Sequence, residues 1–219
     1  MSIRRFNLTD RLLSSAQRSF SVLAGNAQAG RPNPADISPN VDESSDDQLN
    51  ESERRLSASL MRVNHVGEIC AQALYEGQGL MARSQDVRER LAEAAVEERD
   101  HLAWTAQRLQ ELKAPASAFN PLWYGTSFAM GLVAGRLGDK ASMGFMMETE
   151  RQVEQHLDSH LTEMSVKDQR SRAIVAQMKQ DEAHHGATAR RMGGVPLPAP
   201  ARFLMKGVAK VMTTTARYL

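Results

Sequence analysis

The sequence has 219 residues, of which 42% are hydrophobic and only 5% aromatic, and its formal net charge is +1. This length suits one domain with a full-sized core, and the near-neutral charge excludes a global field that would attract nucleic acid. The 12 methionines and the few aromatic residues favour packed helices over a β-sandwich. The single cysteine, Cys70, excludes an internal disulfide, an iron–sulfur cluster and a cysteine-type zinc site, so we interpret it as a helix-packing residue.

The first 53 residues are predicted to form a basic segment followed by a flexible linker. Residues 1–25 contain a single acidic residue and the arginines Arg4, Arg5, Arg11 and Arg18. The segment lacks the continuous apolar run of an export signal, and two alternatives stay open for it: an organelle transit peptide and a basic amphipathic helix on a membrane surface. Residues 26–53 are rich in Pro, Asn, Asp, Ser and Gly, which predicts a solvated and poorly ordered linker. The folded domain is predicted to span residues 54–219.

Four later segments have apolar residues at three- and four-residue steps, which is typical of amphipathic helices. They span residues 55–83, 86–113, 140–164 and 166–192. Glycines and a proline directly after residue 192 would stop the last of them. Four helices of this length predict a four-helix bundle.

Two apolar segments remain outside these four helices. Residues 114–135 are uncharged, and their prolines and glycines argue against a membrane span, so we predict an apolar crossover lying against the bundle or a lipid surface. Residues 202–219 mix apolar residues with Arg202, Lys206, Lys210 and Arg217, which predicts a basic amphipathic helix. Its alternatives are a helix on a membrane surface and an ordinary helix packed on the bundle.

Each predicted bundle helix carries a glutamate within its apolar stripe, and two of the helices carry a histidine three residues after it. The glutamates are Glu68, Glu98, Glu150 and Glu182, and the histidines are His101 and His185. A buried glutamate needs a compensating charge, and two divalent cations would balance four carboxylates and two neutral imidazoles. These oxygen and nitrogen ligands suit iron or manganese, although zinc also binds them. The pattern is that of a ferritin-like di-iron bundle, in which the glutamates without a histidine bridge the ions or complete their shell.

The spacing of these residues supports the same interpretation. Glu98 follows Glu68 by 30 residues and Glu182 follows Glu150 by 32, which predicts two similar hairpins, each contributing a glutamate and then an E-x-x-H motif. One E-x-x-H motif alone is more often a solvated helix face than a site. Two motifs in register with two stripe glutamates predict a metal centre.

Three neighbouring residues were weighed against these candidates. Glu97 is an alternative to Glu98, but it lies away from the stripe, and His184 is a weaker alternative to His185. Glu148 lies on the opposite side of its helix from Glu150 and is predicted to be solvated.

Three further histidines have less certain roles. His156 and His160 have zinc-like spacing, yet they project from the flank of their helix and are predicted to be surface residues. His65 lies one turn before Glu68, and two alternatives stay open: it holds the ligand carboxylate, or it is a partly exposed residue near the helix start.

Several motifs resemble the demethoxyubiquinone hydroxylase family of ubiquinone biosynthesis, and the resemblance runs from about Leu56 to the C-terminus. They are Asn64–Glu68, Glu97–His101, Thr149–Val153, Asp181–His185 and the tail segments Leu204–Lys206 and Val211–Ala216. The resemblance implies metal ligands at the same six residues reached above. It also implies two iron ions per chain, with O₂ as co-substrate and an external reductant.

The family resemblance implies an O₂-dependent monooxygenase that hydroxylates the ring of a 2-polyprenyl-3-methyl-6-methoxy-1,4-benzoquinol. The polyprenyl tail would keep this substrate in the bilayer. We therefore expect a peripheral protein on the cytoplasmic face of the cell membrane, or on the inner mitochondrial membrane in a eukaryote, with other ubiquinone-biosynthesis enzymes as partners. Trp123, Tyr124, Phe128 and Met130 are expected to border the substrate route. The alternatives are a ferritin-like ferroxidase or iron protein, and a non-catalytic lipid-binding subunit of a quinone-synthesis complex.

Overall fold

The computed structural model describes residues 17 and 19–219, without the side chain of Glu43, and every regular element in this part of the chain is a helix. Most of the predicted basic segment lies outside the described residues. The long helices are α1 (Glu51–Met81), α2 (Gln85–Glu111), α3 (Asn120–Arg136), α4 (Asp139–Glu163), α5 (Gln169–Arg191) and α6 (Ala199–Tyr218). Helices α1, α2, α4 and α5 form the bundle, α3 is the crossover and α6 is the tail helix. The prediction of an all-α, ferritin-like four-helix bundle with an apolar crossover and a C-terminal amphipathic helix is confirmed.

Helix α1 begins four residues earlier than its apolar periodicity predicts. The Asn50 side chain accepts a hydrogen bond from the Glu53 backbone N–H at 3.0 Å, and the Glu53 carboxylate accepts one from the Asn50 N–H at 2.9 Å. This capping box satisfies donors that the first turn of a helix otherwise leaves unpaired. The helix therefore starts at Glu51, ahead of its first apolar residues.

Glycines let the crossover helix α3 lie directly against α1. A Cβ atom on Gly135 would lie 2.9 Å from the Gln78 carbonyl oxygen, and one on Gly77 would lie 2.8 Å from the Leu132 backbone nitrogen. Larger side chains at these positions would therefore force the two helices apart. This close contact holds the crossover along α1. The first residue of α4, Asp139, then lies beside the loop that joins α1 to α2, where its carboxylate accepts a hydrogen bond from the Ser84 N–H.

Two parts of the apolar core lie on opposite sides of the middle of the bundle. One part includes Leu60 of α1 and Met178 of α5, and the other includes Leu74 of α1 and Ala189 of α5. On α5, Glu182 stands between the residues of the two parts. The predicted ligands therefore occupy a polar layer within an otherwise apolar bundle.

Residues 26–50 form an N-terminal strap that lies on the bundle. The strap contains a one-turn helix, Pro34–Ile37, and a 3-10 helix, Glu43–Gln48. Within the 3-10 helix, the Asp46 carboxylate accepts hydrogen bonds from the buried Arg108 guanidinium at 2.6 and 2.7 Å. The expectation of a solvated, poorly ordered linker was therefore wrong for this part. The domain boundary at residue 53 stays a prediction.

Helix α6 is packed on the bundle along part of its length only. Met212 and Ala216 pack against Val63 and Val66 of α1. Nearer the start of α6, exposed apolar residues include Phe203, Leu204 and Val211. Among the described residues, none of the helices combines the length and apolar composition needed to cross a bilayer.

Candidate metal centre

The fold brings all six predicted ligands together in the polar layer, each of them buried. Their ligand atoms form two groups, within each of which the atoms lie no more than 4.8 Å apart: Glu68, Glu98, His101 and Glu182, and Glu98, Glu150, Glu182 and His185. Glu98 and Glu182 belong to both groups, and we call them the central glutamates. The residues suited to bridging are therefore those of the E-x-x-H motifs, whereas Glu68 and Glu150 each belong to one group.

Each histidine turns its Nδ1 atom towards the central glutamates. His101 Nδ1 lies 2.9 Å from Glu98 Oε2 and 3.5 Å from Glu182 Oε1. His185 Nδ1 lies 3.2 Å from Glu98 Oε1 and 3.4 Å from Glu182 Oε2. Because each imidazole faces both central carboxylates, one cation could contact a histidine and both glutamates on either side of the layer.

The chemistry of these side chains fits divalent cations. Buried side-chain atoms without a hydrogen-bond partner among the described residues include one oxygen of each of the four glutamates: Glu68 Oε2, Glu98 Oε1, Glu150 Oε1 and Glu182 Oε2. An unsatisfied buried carboxylate oxygen is costly in a protein core. A cation between the four oxygens would satisfy them, and the oxygen and imidazole donors are those that iron and manganese accept.

The pKa values of the proposed ligands also reflect how closely charged groups are placed in the polar layer. Burial raises the pKa of Glu68 and Glu150 well above the ordinary value. Burial and the charge of the other central glutamate oppose the ionisation of Glu98, but the hydrogen bond with His101 and the close imidazole of His185 outweigh them and lower its pKa. Burial also opposes a charge on His185, yet the central carboxylates, 3.2 and 3.4 Å from its Nδ1 atom, raise its pKa to about 11. The buried carboxylates thus need protons or cations in their midst.

One outer carboxylate binds the far side of each histidine ring. His101 Nε2 lies 2.9 Å from Asp181 Oδ2, and His185 Nε2 lies 3.1 Å from Glu97 Oε2. A histidine that donates its outer N–H to a carboxylate keeps its other nitrogen free to ligate a metal. Each of these pairs joins the two hairpins: Asp181 of α5 binds His101 of α2, and Glu97 of α2 binds His185 of α5.

The sequence interpretation missed this role of Asp181 and Glu97. Glu97 had been considered only as an alternative to Glu98, yet it lies outside both ligand groups. The available signal was an acidic residue directly before the glutamate of each E-x-x-H motif.

Several other predictions about neighbouring residues need correction. Glu148 is buried, because Arg151 and Gln152 on the next turn cover and bind its carboxylate. His160 is fully buried and His156 is half-buried, so neither is the predicted surface residue.

His65 is also buried, which overturns the partly exposed alternative, and among the described residues it forms no hydrogen bond with Glu68. His184 is exposed and lies outside the ligand groups. Cys70 packs beside Val63 and Val66, as a helix-packing residue should.

Two of the surface grooves lie beside the polar layer, and they differ in whether proposed ligands line them. A groove of about 560 Å³ between α4 and α5 has Glu150, Glu182 and Gly186 in its wall, and we call it the α4–α5 groove. A groove of about 540 Å³ between α1 and α2, the α1–α2 groove, is bounded on the inside by Gln72. The Gln72 side chain donates a hydrogen bond to the Ala95 carbonyl at 2.7 Å, and none of the six proposed ligands lines this groove.

The residues expected to border a substrate route, Trp123, Tyr124, Phe128 and Met130, line neither groove. Tyr124 is buried and donates a hydrogen bond to Glu76, which lies in the wall of the α1–α2 groove. The expected route along α3 stays a prediction.

Comparisons with known proteins agree with the motifs. The family model for the ubiquinone biosynthesis protein COQ7 matches residues 55–216. A 3-demethoxyubiquinol 3-hydroxylase of Ralstonia pickettii is 55% identical over 215 residues, covering 95% of this chain and 99% of that protein. Proteins of the same name from Cupriavidus pinatubonensis and Burkholderia thailandensis are 54% and 53% identical, over 94% and 97% of this chain and 98% and 100% of their own lengths. The family resemblance is thereby confirmed, and the chain belongs to the COQ7 family of ubiquinone biosynthesis proteins.

Proposed function

We propose that this protein is a di-iron hydroxylase of ubiquinone biosynthesis, which adds a hydroxyl group to the ring of a polyprenylated 3-demethoxyubiquinol. The observation that carries the proposal is the buried layer of four glutamates and two histidines, arranged in two overlapping ligand groups. Relatives that are 54–55% identical to this chain are named 3-demethoxyubiquinol 3-hydroxylases, and this name supports the choice of substrate. The cofactors would be two iron ions per chain, with O₂ as co-substrate and an external reductant.

Bound iron would supply the activation of O₂, so that one oxygen atom enters the ring and the other leaves as water. The protein's own residues have three tasks. The central glutamates face both histidines and would help to hold both ions, and Glu68 and Glu150 would each help to hold one. The outer carboxylates, Asp181 and Glu97, hold the imidazoles in orientation. The apolar core on both sides of the layer excludes water from the reaction.

The α4–α5 groove is the proposed binding site for the quinol ring. The reacting carbon has to approach the ions, and this groove includes two proposed ligands, Glu150 and Glu182, in its wall. Gly186, directly after His185, leaves room above Glu150, whereas the corresponding residue after His101 is the buried Leu102. A volume of about 560 Å³ suits an aromatic ring and the first units of its tail.

The mouth of this groove supports attachment to a membrane surface. Arg202, at the start of α6, lies in the groove wall, and the next residues, Phe203 and Leu204, are exposed apolar side chains. A polyprenyl tail leaving the groove there would pass along α6 into a bilayer. We therefore propose a peripheral protein at the cytoplasmic face of the cell membrane, held by apolar burial and by attraction of basic residues to anionic headgroups.

Liposome binding tests the attachment. Reversing Lys206 and Lys210 to Glu should weaken binding to anionic vesicles, because each basic residue near such a surface contributes about 1 kcal/mol. The effect should shrink with added salt, and helicity and iron content should stay unchanged. A control that reverses Arg55 and Lys167, outside α6, should bind like the parent. Equal binding of the α6 variant and the parent would contradict attachment through α6.

A turnover assay tests the proposed function itself. Purified protein loaded with iron is incubated with O₂, a reductant and a short-tailed demethoxyubiquinol, and the product is identified by mass. The expected product is heavier by one oxygen atom. Oxidation and mineralisation of iron without ring hydroxylation would favour the ferroxidase alternative. Intact substrate in the presence of protein with a full iron complement would favour the non-catalytic subunit.

A further inference from the structure

The N-terminal strap carries one side chain into the surroundings of the metal centre. Arg31 Nη2 lies 2.9 Å from Asp181 Oδ2, the same oxygen that binds His101 Nε2 at 2.9 Å. Arg31 Nη2 is also 3.5 Å from His101 Nε2. The guanidinium group therefore lies directly behind the imidazole, on the side opposite to the ligand cluster.

The position of Arg31 is fixed by contacts on several sides. Its Nε atom donates a hydrogen bond to Asp100 Oδ2 at 2.6 Å, and the neighbouring Gly30 N–H donates one to Asp100 Oδ1, also at 2.6 Å. Its guanidinium carbon lies 4.9 Å from the ring centroid of buried Trp104. The other oxygen of Asp181 accepts a hydrogen bond from Gln177 at 3.0 Å. Ion pairs with two carboxylates and a cation–π contact make this a specific site for arginine, whose planar group can satisfy all of them.

The equivalent position on the other side of the cluster is different. Glu97, the outer carboxylate of His185, is about one-third exposed. Across the described residues 17 and 19–219, no arginine or lysine forms an ion pair with it. The two histidines thus have the same kind of carboxylate partner, but within the described part of the chain an arginine pairs with the partner of His101 and not with that of His185.

We propose that Arg31 is a positioning residue that makes the two iron sites inequivalent, because it places a positive charge on the outer carboxylate of His101, whereas no arginine or lysine of the described residues pairs with the outer carboxylate of His185. The inference rests on the proposed function, because it assumes that the six ligands hold iron. It adds that the strap, not the bundle alone, determines the electrostatic surroundings of the ion bound by Glu68 and His101.

The direction of the effect follows from charge. A carboxylate that is not shared with a cation draws the His101 N–H proton more strongly, so that the ring becomes a better donor to the metal. A better donor favours the ferric state over the ferrous state. A positive charge nearby also disfavours the more highly charged ion. Arg31 therefore raises the reduction potential of the ion on its side, through both effects.

The strap lies outside the part of the chain that matches the family model, which begins at residue 55. The relatives from Ralstonia, Cupriavidus and Burkholderia are matched over at least 94% of this chain, so the strap falls within the length that they share with it. Tuning by the strap would therefore be an addition to the family's helical bundle in proteins of this length.

The test compares Arg31→Gln with Arg31→Lys and with Asp36→Asn. The first variant removes the charge, and the second keeps it but loses the planar group. The third weakens another strap contact, the ion pair of Asp36 with Arg170, which involves none of the six proposed ligands. In iron-loaded full-length protein, Arg31→Gln should shift the preference for ferric over ferrous iron on one site by about tenfold. That corresponds to a reduction potential lower by about 59 mV for a one-electron couple.

A second readout identifies which site has changed. With cobalt(II) as a paramagnetic probe, proton NMR should show separate signals from the ring N–H groups of His101 and His185. Arg31→Gln should shift the His101 signal and leave the His185 signal in place. Arg31→Lys should restore at least half of the change in potential, and Asp36→Asn should behave like the parent in both measurements.

Three outcomes would overturn the inference. They are an unchanged potential in Arg31→Gln, an equal shift of both histidine signals, or the same shift in Asp36→Asn, which would trace the effect to general loosening of the strap. A parent protein that binds no iron would instead refute the proposed function and, with it, the basis of the inference. Thermal unfolding of each variant separates these results from simple loss of the fold.

Discussion

The two sides of the metal centre use one ligand pattern in different surroundings. On the His101 side, the outer carboxylate Asp181 is paired with Arg31, and Leu102 fills the space after the histidine. On the His185 side, the outer carboxylate Glu97 is partly exposed, and Gly186 borders an open groove. The comparison teaches that a nearly symmetric pair of hairpins can give its halves different surroundings: the strap covers one side, and a groove opens on the other.

The largest expected effect is loss of the ligands that both sides share. Glu182→Ala should lower the iron content from about two ions per chain and abolish turnover, because a central glutamate belongs to both groups. Glu150→Ala should cost metal mainly on the His185 side. Iron analysis and the turnover assay measure both.

Glu148→Ala is the control for these ligand variants, since Glu148 is buried yet binds only Arg151 and Gln152. It should keep its full iron content, which is the property that this control tests. Full iron content and activity in Glu150→Ala would sink the ligand assignment.

Closing the open side should have the next largest effect. Gly186→Leu would fill the α4–α5 groove beside Glu150, where a Cβ atom would already lie 3.4 Å from the Glu150 Cβ. Displacing the ring by about 1 Å costs on the order of a hundredfold in rate, so turnover should fall while iron content stays. Ala92→Leu, in the α1–α2 groove, is the matched control and should keep its activity. The reverse pattern would place the substrate between α1 and α2.

The contact that anchors the strap to the bundle should contribute strongly to the free energy of unfolding. Arg108 is fully buried and binds Asp46 of the strap and the buried Asp168, the latter at 2.9 Å. Arg108→Met would leave a buried charge uncompensated, which typically costs about 3–5 kcal/mol. The free energy of unfolding from urea titration should fall by that amount. Arg55→Met, which removes an exposed ion pair with Glu51, should leave the urea midpoint in place.

The smallest predicted effect concerns acid stability along α4, the helix that carries Glu150. Burial lowers the pKa of His160 to about 3 and that of His156 to about 4. Below the unfolded-state pKa of about 6.5, the unfolded chain binds protons that the native state does not. Stability should therefore fall as the pH drops from about 6.5 towards 4.

Replacing both histidines with Gln should flatten this dependence in urea titrations, whereas the same change at exposed His184 should not. An unchanged slope in the double variant would mean that other groups, such as buried His65, cause the acid sensitivity.

The periodicity of the sequence was enough to predict the four bundle helices and to choose the six residues that meet in the polar layer. Helical period is a local property, and a charged residue within an apolar stripe is visible without any tertiary information. The distinction between Glu98 and its neighbour Glu97 followed from the same geometry. The role of Glu97 did not, because its partner, His185, lies on another helix.

The strap and the histidine pair on α4 were predicted wrongly for a related reason. The polar composition of residues 26–50 indicates a solvated segment, but Asp46 and Arg31 find their partners, Arg108 and Asp181, far along the chain. His160 is fully buried, and the ion pair of Arg217 with Glu163 shows that α6 docks against the same end of α4. Contacts of this kind depend on how distant segments dock, which no local pattern reports.

Iron anomalous diffraction from crystals of the iron-loaded protein tests the central claim most directly. We predict two peaks per chain in the polar layer, about 3.5–4 Å apart, with Glu98 and Glu182 between them. One peak should lie beside Glu68 and His101, and the other beside Glu150 and His185. A single peak, or iron bound elsewhere, such as at His156 and His160, would contradict the account.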